Sequence, residues 1–190
     1  VKNMKSALVY SNYIELREED EWNIEKGGHY VVTRNGSALI SFTVPDEEIY
    51  SFRIVAAHND SPTFQIKENP ELQDNTYIRL NVEGYGGMIM NSWIDRPLSV
   101  AGRIYINKEG TITPEMIAID GTTLIIPSVA IHMNREINKG YTWNIQKDLL
   151  PLYGTAETKI SFMQMIAAAA NVTTDSILGH DLFLYSRVPG

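Results

Sequence analysis

The chain contains no cysteine. Disulfide frameworks, thiolate nucleophiles and cysteine-held zinc are therefore excluded, and any metal must be held by histidine and carboxylate side chains. Only four histidines are available for that role. Long apolar runs are also missing. Nowhere do ~20 apolar residues follow one another, and residues 1–10 lack a charged lead before an apolar stretch, so neither a membrane span nor a signal peptide is expected. Positive charge is sparse: 16 basic residues stand against 23 acidic ones, for a formal net charge of -7. The basic residues are scattered, with no run that could track a phosphate backbone. Nucleic acid and membrane are thus not expected as partners, and a cytoplasmic location fits best. The first residue is Val1 rather than Met, so the natural protein is expected to be longer.

What remains is an ordinary folding chain of 190 residues, 44% of them hydrophobic, enough for one domain or two small ones. Asn35-Gly36 stands between two β-rich runs, 30–33 and 38–44, and predicts a hairpin. Residues 51–57 are mostly apolar with little alternation, as in a strand buried on both faces of a helix-covered sheet. The end of that run carries His58-Asn59-Asp60-Ser61-Pro62, and buried strands of open α/β sheets present their ligands at such ends. Polar residues gather between Pro62 and Tyr77, which suggests a crossing between domains near residue 75. Strands are expected over 77–83, 99–107, 122–126 and 181–185, the last stopping at Pro189-Gly190, with bends at 84–87 and 108–110. The alanine-rich stretch 161–171 predicts a helix, and Pro127-Ser128 suggests the start of a shorter one over 127–138.

His58 and Asp60 stand two positions apart. In an extended segment such residues face the same side, so a carboxylate could orient an imidazole that binds metal through its other nitrogen. Taken alone, the tripeptide favours the plainer reading, an Asp that caps a turn before Pro62 and a histidine that is merely nearby. Longer strings carry more information. Ala57-His58-Asn59-Asp60-Ser61-Pro62 is followed in order by Val82-Glu83-Gly84-Tyr85-Gly86-Gly87, by Trp93-Ile94-Asp95-Arg96-Pro97-Leu98-Ser99-Val100-Ala101-Gly102-Arg103, and by Pro127-Ser128-Val129-Ala130-Ile131-His132-Met133. Together these resemble the M18 family of metalloaminopeptidases, the aspartyl aminopeptidase-like enzymes. The resemblance runs from about residue 50 to residue 139, and more weakly through 179–185.

The resemblance implies a zinc ligand at His58, a supporting acid at Asp60, and at His132 a residue that reaches the active site of a neighbouring subunit to hold substrate or the developing oxyanion. It implies a peptide substrate, often with an acidic N-terminal residue, and a homo-oligomer in which dimers build a larger assembly. Two zinc ions are expected in a complete enzyme, held by about five or six protein ligands. The family's other ligand strings and its general-base glutamate do not occur in this sequence, so the chain alone is expected to bind zinc weakly or not at all and to be inactive. Pro97 departs from the aspartate common at that place in the family. Asp95-Arg96 reads as scaffold, and His29 and His180 as surface or turn residues. The implied fold is α+β: residues 1–75 begin an α/β zinc-peptidase domain, and residues 76–190 form an inserted β-rich dimerisation and assembly domain. An alternative is a non-catalytic oligomerisation module derived from such an enzyme. An unrelated β-rich binding protein draws no positive support from the sequence.

Overall fold

The computed structural model describes residues 1–48, 51–121 and 123–188. Sheet dominates and helices are few, so the class is mixed α+β. The chain divides into two compact units, with the boundary between Asp60 and Ser61.

In the first unit, helix α1 (Lys2–Tyr10) buries none of its residues, and Lys5 Nζ pairs with Glu15 at 2.9 Å. Strands β1 (Ile14–Leu16), β2 (His29–Arg34) and β3 (Ala38–Thr43) form a small sheet, parallel between β1 and β2 and antiparallel between β2 and β3. The hairpin turn sits where Asn-Gly requires it. Asn35 and Gly36 take φ of 50° and 67°, the pair of positive values that a type I′ turn needs. Tyr30, Val31 and Val32 are buried, and the Phe42 ring lies 5.3 Å from Tyr30 and 6.3 Å from Trp22.

The run 51–57 departs from expectation. No strand forms there, and Phe52, Ile54 and Val55 are 81%, 84% and 97% exposed. Apolar composition makes a buried strand only when ladder partners stand on both edges, and none of the described strands pairs with this run.

The second unit is one antiparallel sheet of β4 (Thr63–Gln73), β5 (Tyr77–Tyr85), β6 (Leu98–Lys108), β7 (Thr111–Ala118), β8 (Leu152–Thr155) and β9 (Ile177–Ser186), in the order β7-β6-β9-β4-β5-β8. The polar stretch supplies the outer half of β4, which pairs with β5 across a bulge between Ile66 and Glu71. Its early residues alternate, with Phe64 and Ile66 buried and Thr63 and Gln65 turned to the other face. The same alternation buries Leu80 and Val82 on β5, Val100, Ile104 and Ile106 on β6, and Leu182 and Leu184 on β9. Helix α2 (Phe162–Ala169) adds Phe162 and Ile166 to this core. Each fully buried phenylalanine there contributes about 2–3 kcal/mol of transfer free energy. Ser161 caps α2 through a reciprocal capping box with Gln164, which starts the helix where the sequence predicts it.

No helix covers 127–138. The segment is turn, closed by a short 3₁₀ turn at Ile137–Lys139 and by Gly140 at φ 100°. Its apolar residues Val129, Ile131 and Met133 fall on every second position and remain exposed, so a helix would gain no buried stripe to stabilise it. The expected strand 122–126 reduces to isolated bridges of Leu124 with Leu98 and of Ile125 with Leu152. Its first residue, Thr122, and the stop at Pro189-Gly190 lie outside the described residues.

Candidate functional site

His58, Asn59 and Asp60 close the first unit on chain without regular structure. Asn59 moors the segment, because its Nδ2 donates to the Ser37 carbonyl at 3.2 Å, in the turn that joins β2 to β3. His58 Nδ1 lies 3.1 Å from Asp60 Oδ1 and 3.1 Å from the Asp60 carbonyl oxygen. Both partners are acceptors, so Nδ1 carries the proton and Nε2 keeps its lone pair. That tautomer is the one a ligating imidazole has when a carboxylate steadies it from behind. The His58 side chain is 80% exposed and that of Asp60 48% exposed. Solvent screening leaves such a pair little weight in stability, so its value is orientation.

This donor set can be tested against zinc. One imidazole with a free Nε2 matches one ligand position, whereas a catalytic zinc takes three protein ligands and a paired site more. Among the described residues no group of three or more His, Asp or Glu side chains is placed to hold an ion. His58 and Asp60 therefore suit a contribution to a metal centre and do not make one. His132 lies in the second unit, exposed on the turn around Ala130 and Met133, whose backbone closes at 2.8 Å. The structure brings His58 and Asp60 together within the first unit, and His132 occupies its own turn within the second.

Asp95 is structural, as its sequence context suggests. It takes φ 56°, and its Oδ1 accepts the Ser128 amide at 2.8 Å, which ties two loops. Hydrogen bonds from the Ser128 side chain and amide hold its carboxyl below the usual carboxylate range. His29 is exposed beside the Tyr13 ring at 5.3 Å.

His180 is not a turn residue. It lies within β9 opposite Ile104, and both ring nitrogens are buried without a hydrogen-bond partner. A polar residue beside Gly179 looks like turn chemistry in sequence, and only the pairing with β6 shows otherwise. Burial pushes the imidazole below its ordinary value, against opposing pulls from Glu68 and Asp181. The folded state thus binds this proton less readily than the unfolded chain. His180 accordingly costs the fold nothing above the unfolded value of about pH 6.5, and stability is lost as pH falls below it. Urea midpoints compared at about pH 7.5 and 5.5 should show this drop, and His180→Leu should make it smaller. An unchanged slope in the variant would remove the assignment.

Residues 1–190 match the family described as aminopeptidase I zinc metalloprotease (M18) along their whole length. The chain belongs to this family of aminopeptidases. A Clostridium acetobutylicum protein named "Probable M18 family aminopeptidase 2" is 43% identical over 199 aligned residues, covering 100% of this chain and 46% of that protein. The chain therefore spans about half the length of the curated relatives it matches. Among solved structures, the Ape4 and Nbr1 complex superimposes with a TM-score of 0.82 at 28% identity, covering 100% of this chain and 42% of its counterpart. The structure described as "Structure of S. cerevesiae mApe1 dodecamer" gives a TM-score of 0.67 at 21% identity, covering 97% of this chain and 43% of that chain, and shows the shared fold alone. No helix among the described residues is long and apolar enough to cross a membrane.

Proposed function

We propose that this chain supplies part of a zinc aminopeptidase that removes N-terminal residues, acidic ones among them, from peptides. His58 is the metal ligand, through Nε2, and Asp60 is its positioning residue. The observation that carries this reading is the Nδ1 contact with Asp60 at 3.1 Å in a chain of M18 membership. Zinc held there together with ligands from further polypeptide supplies Lewis acidity and a water of lowered pKa. Asp60 keeps the proton on Nδ1, and Asn59 fixes the loop that presents the ring. The six-stranded unit is the assembly domain, and His132 on its exposed turn serves a neighbouring subunit's site. The self-contained core of that unit also supports a second reading, an oligomerisation module without catalysis of its own.

One comparison separates the two. Zinc content and release of free amino acid from a peptide with N-terminal Asp are measured for the 190-residue chain and for a polypeptide extended to the length of its relatives. Substoichiometric zinc and no release are expected from the chain, with two zinc ions and turnover in the extended form. Stoichiometric zinc with turnover in the short chain would overturn the proposed division of ligands. An extended form with neither would overturn the peptidase reading.

A further inference from the structure

Asn35-Gly36 is the sequence's one Asn-Gly pair, and it sits at the tip of the β2–β3 hairpin. Both residues are exposed, and nothing lies within 4 Å of where a Cβ on Gly36 would stand. The side-chain carbonyl carbon of an asparagine, Cγ, is an electrophile that the backbone nitrogen of the next residue can reach. A side chain on that next residue crowds the approach, and glycine has none. The bond that closes this turn uses the Ser37 amide, which donates to the Arg34 carbonyl at 3.1 Å, rather than the amide of Gly36.

The tip is also an anchor. Asn59 Nδ2 donates to the Ser37 carbonyl at 3.2 Å, so the segment that carries His58 and Asp60 hangs on the residue directly after the pair. That bond has little slack, since a separation of ~3.6 Å no longer counts as one.

We infer that Asn35 is a site of spontaneous covalent modification, and that its conversion to isoaspartate releases Asn59 from the hairpin. Hydroxide removes the Gly36 amide proton, and the nitrogen bonds to Asn35 Cγ. The Cγ–Nδ2 bond breaks and ammonia leaves, which gives a cyclic imide. Water then opens the imide in one of two ways. Cleavage of the new Cγ–N bond yields aspartate, whereas cleavage between that nitrogen and the main-chain carbonyl carbon routes the backbone through Cβ and Cγ. The second route lengthens the chain between Arg34 and Ser37 by one carbon–carbon bond, about 1.5 Å. This exceeds the slack in the Asn59 bond, and the closing bond of the turn must span the extra atom as well. Tyr30, Val31 and Val32 stay buried further down β2, so the change is confined to the tip. Asp120-Gly121, the one Asp-Gly pair, reacts more slowly. Its Oδ1 accepts Arg187 Nη2 at 2.9 Å and the Gly121 amide at 3.0 Å, and an ionised carboxylate resists nucleophilic attack. No step uses a metal or a peptide, so the inference stands or falls independently of the peptidase reading.

The test is ageing of the 190-residue chain in warm, mildly alkaline buffer, with peptide mapping at intervals and isoaspartate located by electron-transfer fragmentation. Residue 35 should convert ahead of every other asparagine and ahead of Asp120, to a mixture of isoaspartate and aspartate. A second set of Asn59 side-chain amide signals, at solvent-exposed positions in the NMR spectrum, should grow with the isoaspartate fraction while far-ultraviolet circular dichroism holds. Asn35→Gly removes the electrophile and tolerates positive φ, so its Asn59 signals should stay in place through the same treatment. Conversion at residue 35 no earlier than elsewhere, a single unmoved set of Asn59 signals as isoaspartate accumulates, equal drift in Asn35→Gly, or release of Asn59 only with loss of the dichroism each overturns the inference.

Discussion

Gly102→Ala is expected to destabilise the second unit by on the order of 3 kcal/mol or more, a large share of the roughly 5–15 kcal/mol that holds a typical domain together. Gly102 lies inside β6, paired with Leu182 on β9 and with Ile117 on β7. A Cβ at this position meets the Asp181 carbonyl oxygen at 2.1 Å and the Leu182 Cα at 3.0 Å, both backbone atoms of the neighbouring strand. Flexible side chains can swing away from such a contact, but a ladder strand cannot without giving up hydrogen bonds on both of its edges. The φ of 156° adds a conformation that L-residues rarely adopt. Gly110 provides the control. It turns at φ 87° between β6 and β7, where an added methyl would have nothing within 4 Å, so Gly110→Ala should cost only about 1 kcal/mol of backbone strain. Urea midpoints of the two variants, followed by far-ultraviolet circular dichroism, should differ widely. Similar midpoints would show that the close approach of β6 and β9 is not what reserves position 102 for glycine.

His58→Ala, made in a polypeptide extended to the length of its relatives, should remove one equivalent of bound zinc and lower aminopeptidase activity by more than about 100-fold. The prediction follows from the tautomer. With its Nδ1 hydrogen shared between Asp60 Oδ1 and the Asp60 carbonyl, the ring has only Nε2 left to offer, and His58 is the only imidazole of the 58–60 segment. Asp60→Asn is the finer probe. An amide can still face Nδ1 but can present its NH₂ there, which reverses the hydrogen bond and the preferred tautomer. Zinc affinity should then fall by about 10- to 100-fold with the ligand itself intact. The side chains are 80% and 48% exposed, so with a chelator present neither change should shift the unfolding midpoint appreciably. If metal content and turnover survive His58→Ala, the histidine is a turn residue and the proposed ligand assignment fails.

Local chemistry was legible in the sequence wherever one or two residues decide the backbone. Asn35-Gly36 forces positive φ twice and made its hairpin, and Ser161 with Gln164 capped the helix that the alanine run promised. The contact of His58 with Asp60 was one of two readings open in the sequence, since residues two apart can face each other without any help from distant chain. Readings that depended on distant chain were less secure. Residues 51–57 have the composition of a central strand, but a strand is defined by its neighbours, and no described strand flanks them. Pro127-Ser128 resembles a helix start, yet the apolar residues that follow repeat every second position rather than every third or fourth. The polar outer half of β4 concealed a strand for the opposite reason: its side chains are mostly polar and only half-buried or exposed past a bulge, while its backbone pairs with β5.

The seam of the larger sheet is its last strand. β9 sits between β6 and β4, with Ala101 and Gln65 both registered on Phe183. Among the described residues, the hairpins β4–β5 and β6–β7 share no ladder of their own; besides β9, only the isolated bridges Leu98–Leu124 and Ile125–Leu152 link β6, through β8, to β5. Pairing β4 with β9 closes the long loop between residues 73 and 177, an entropically expensive contact in this sheet. A chain lacking β9 is therefore expected to expose the apolar faces of both hairpins, the kind of surface a chaperone holds.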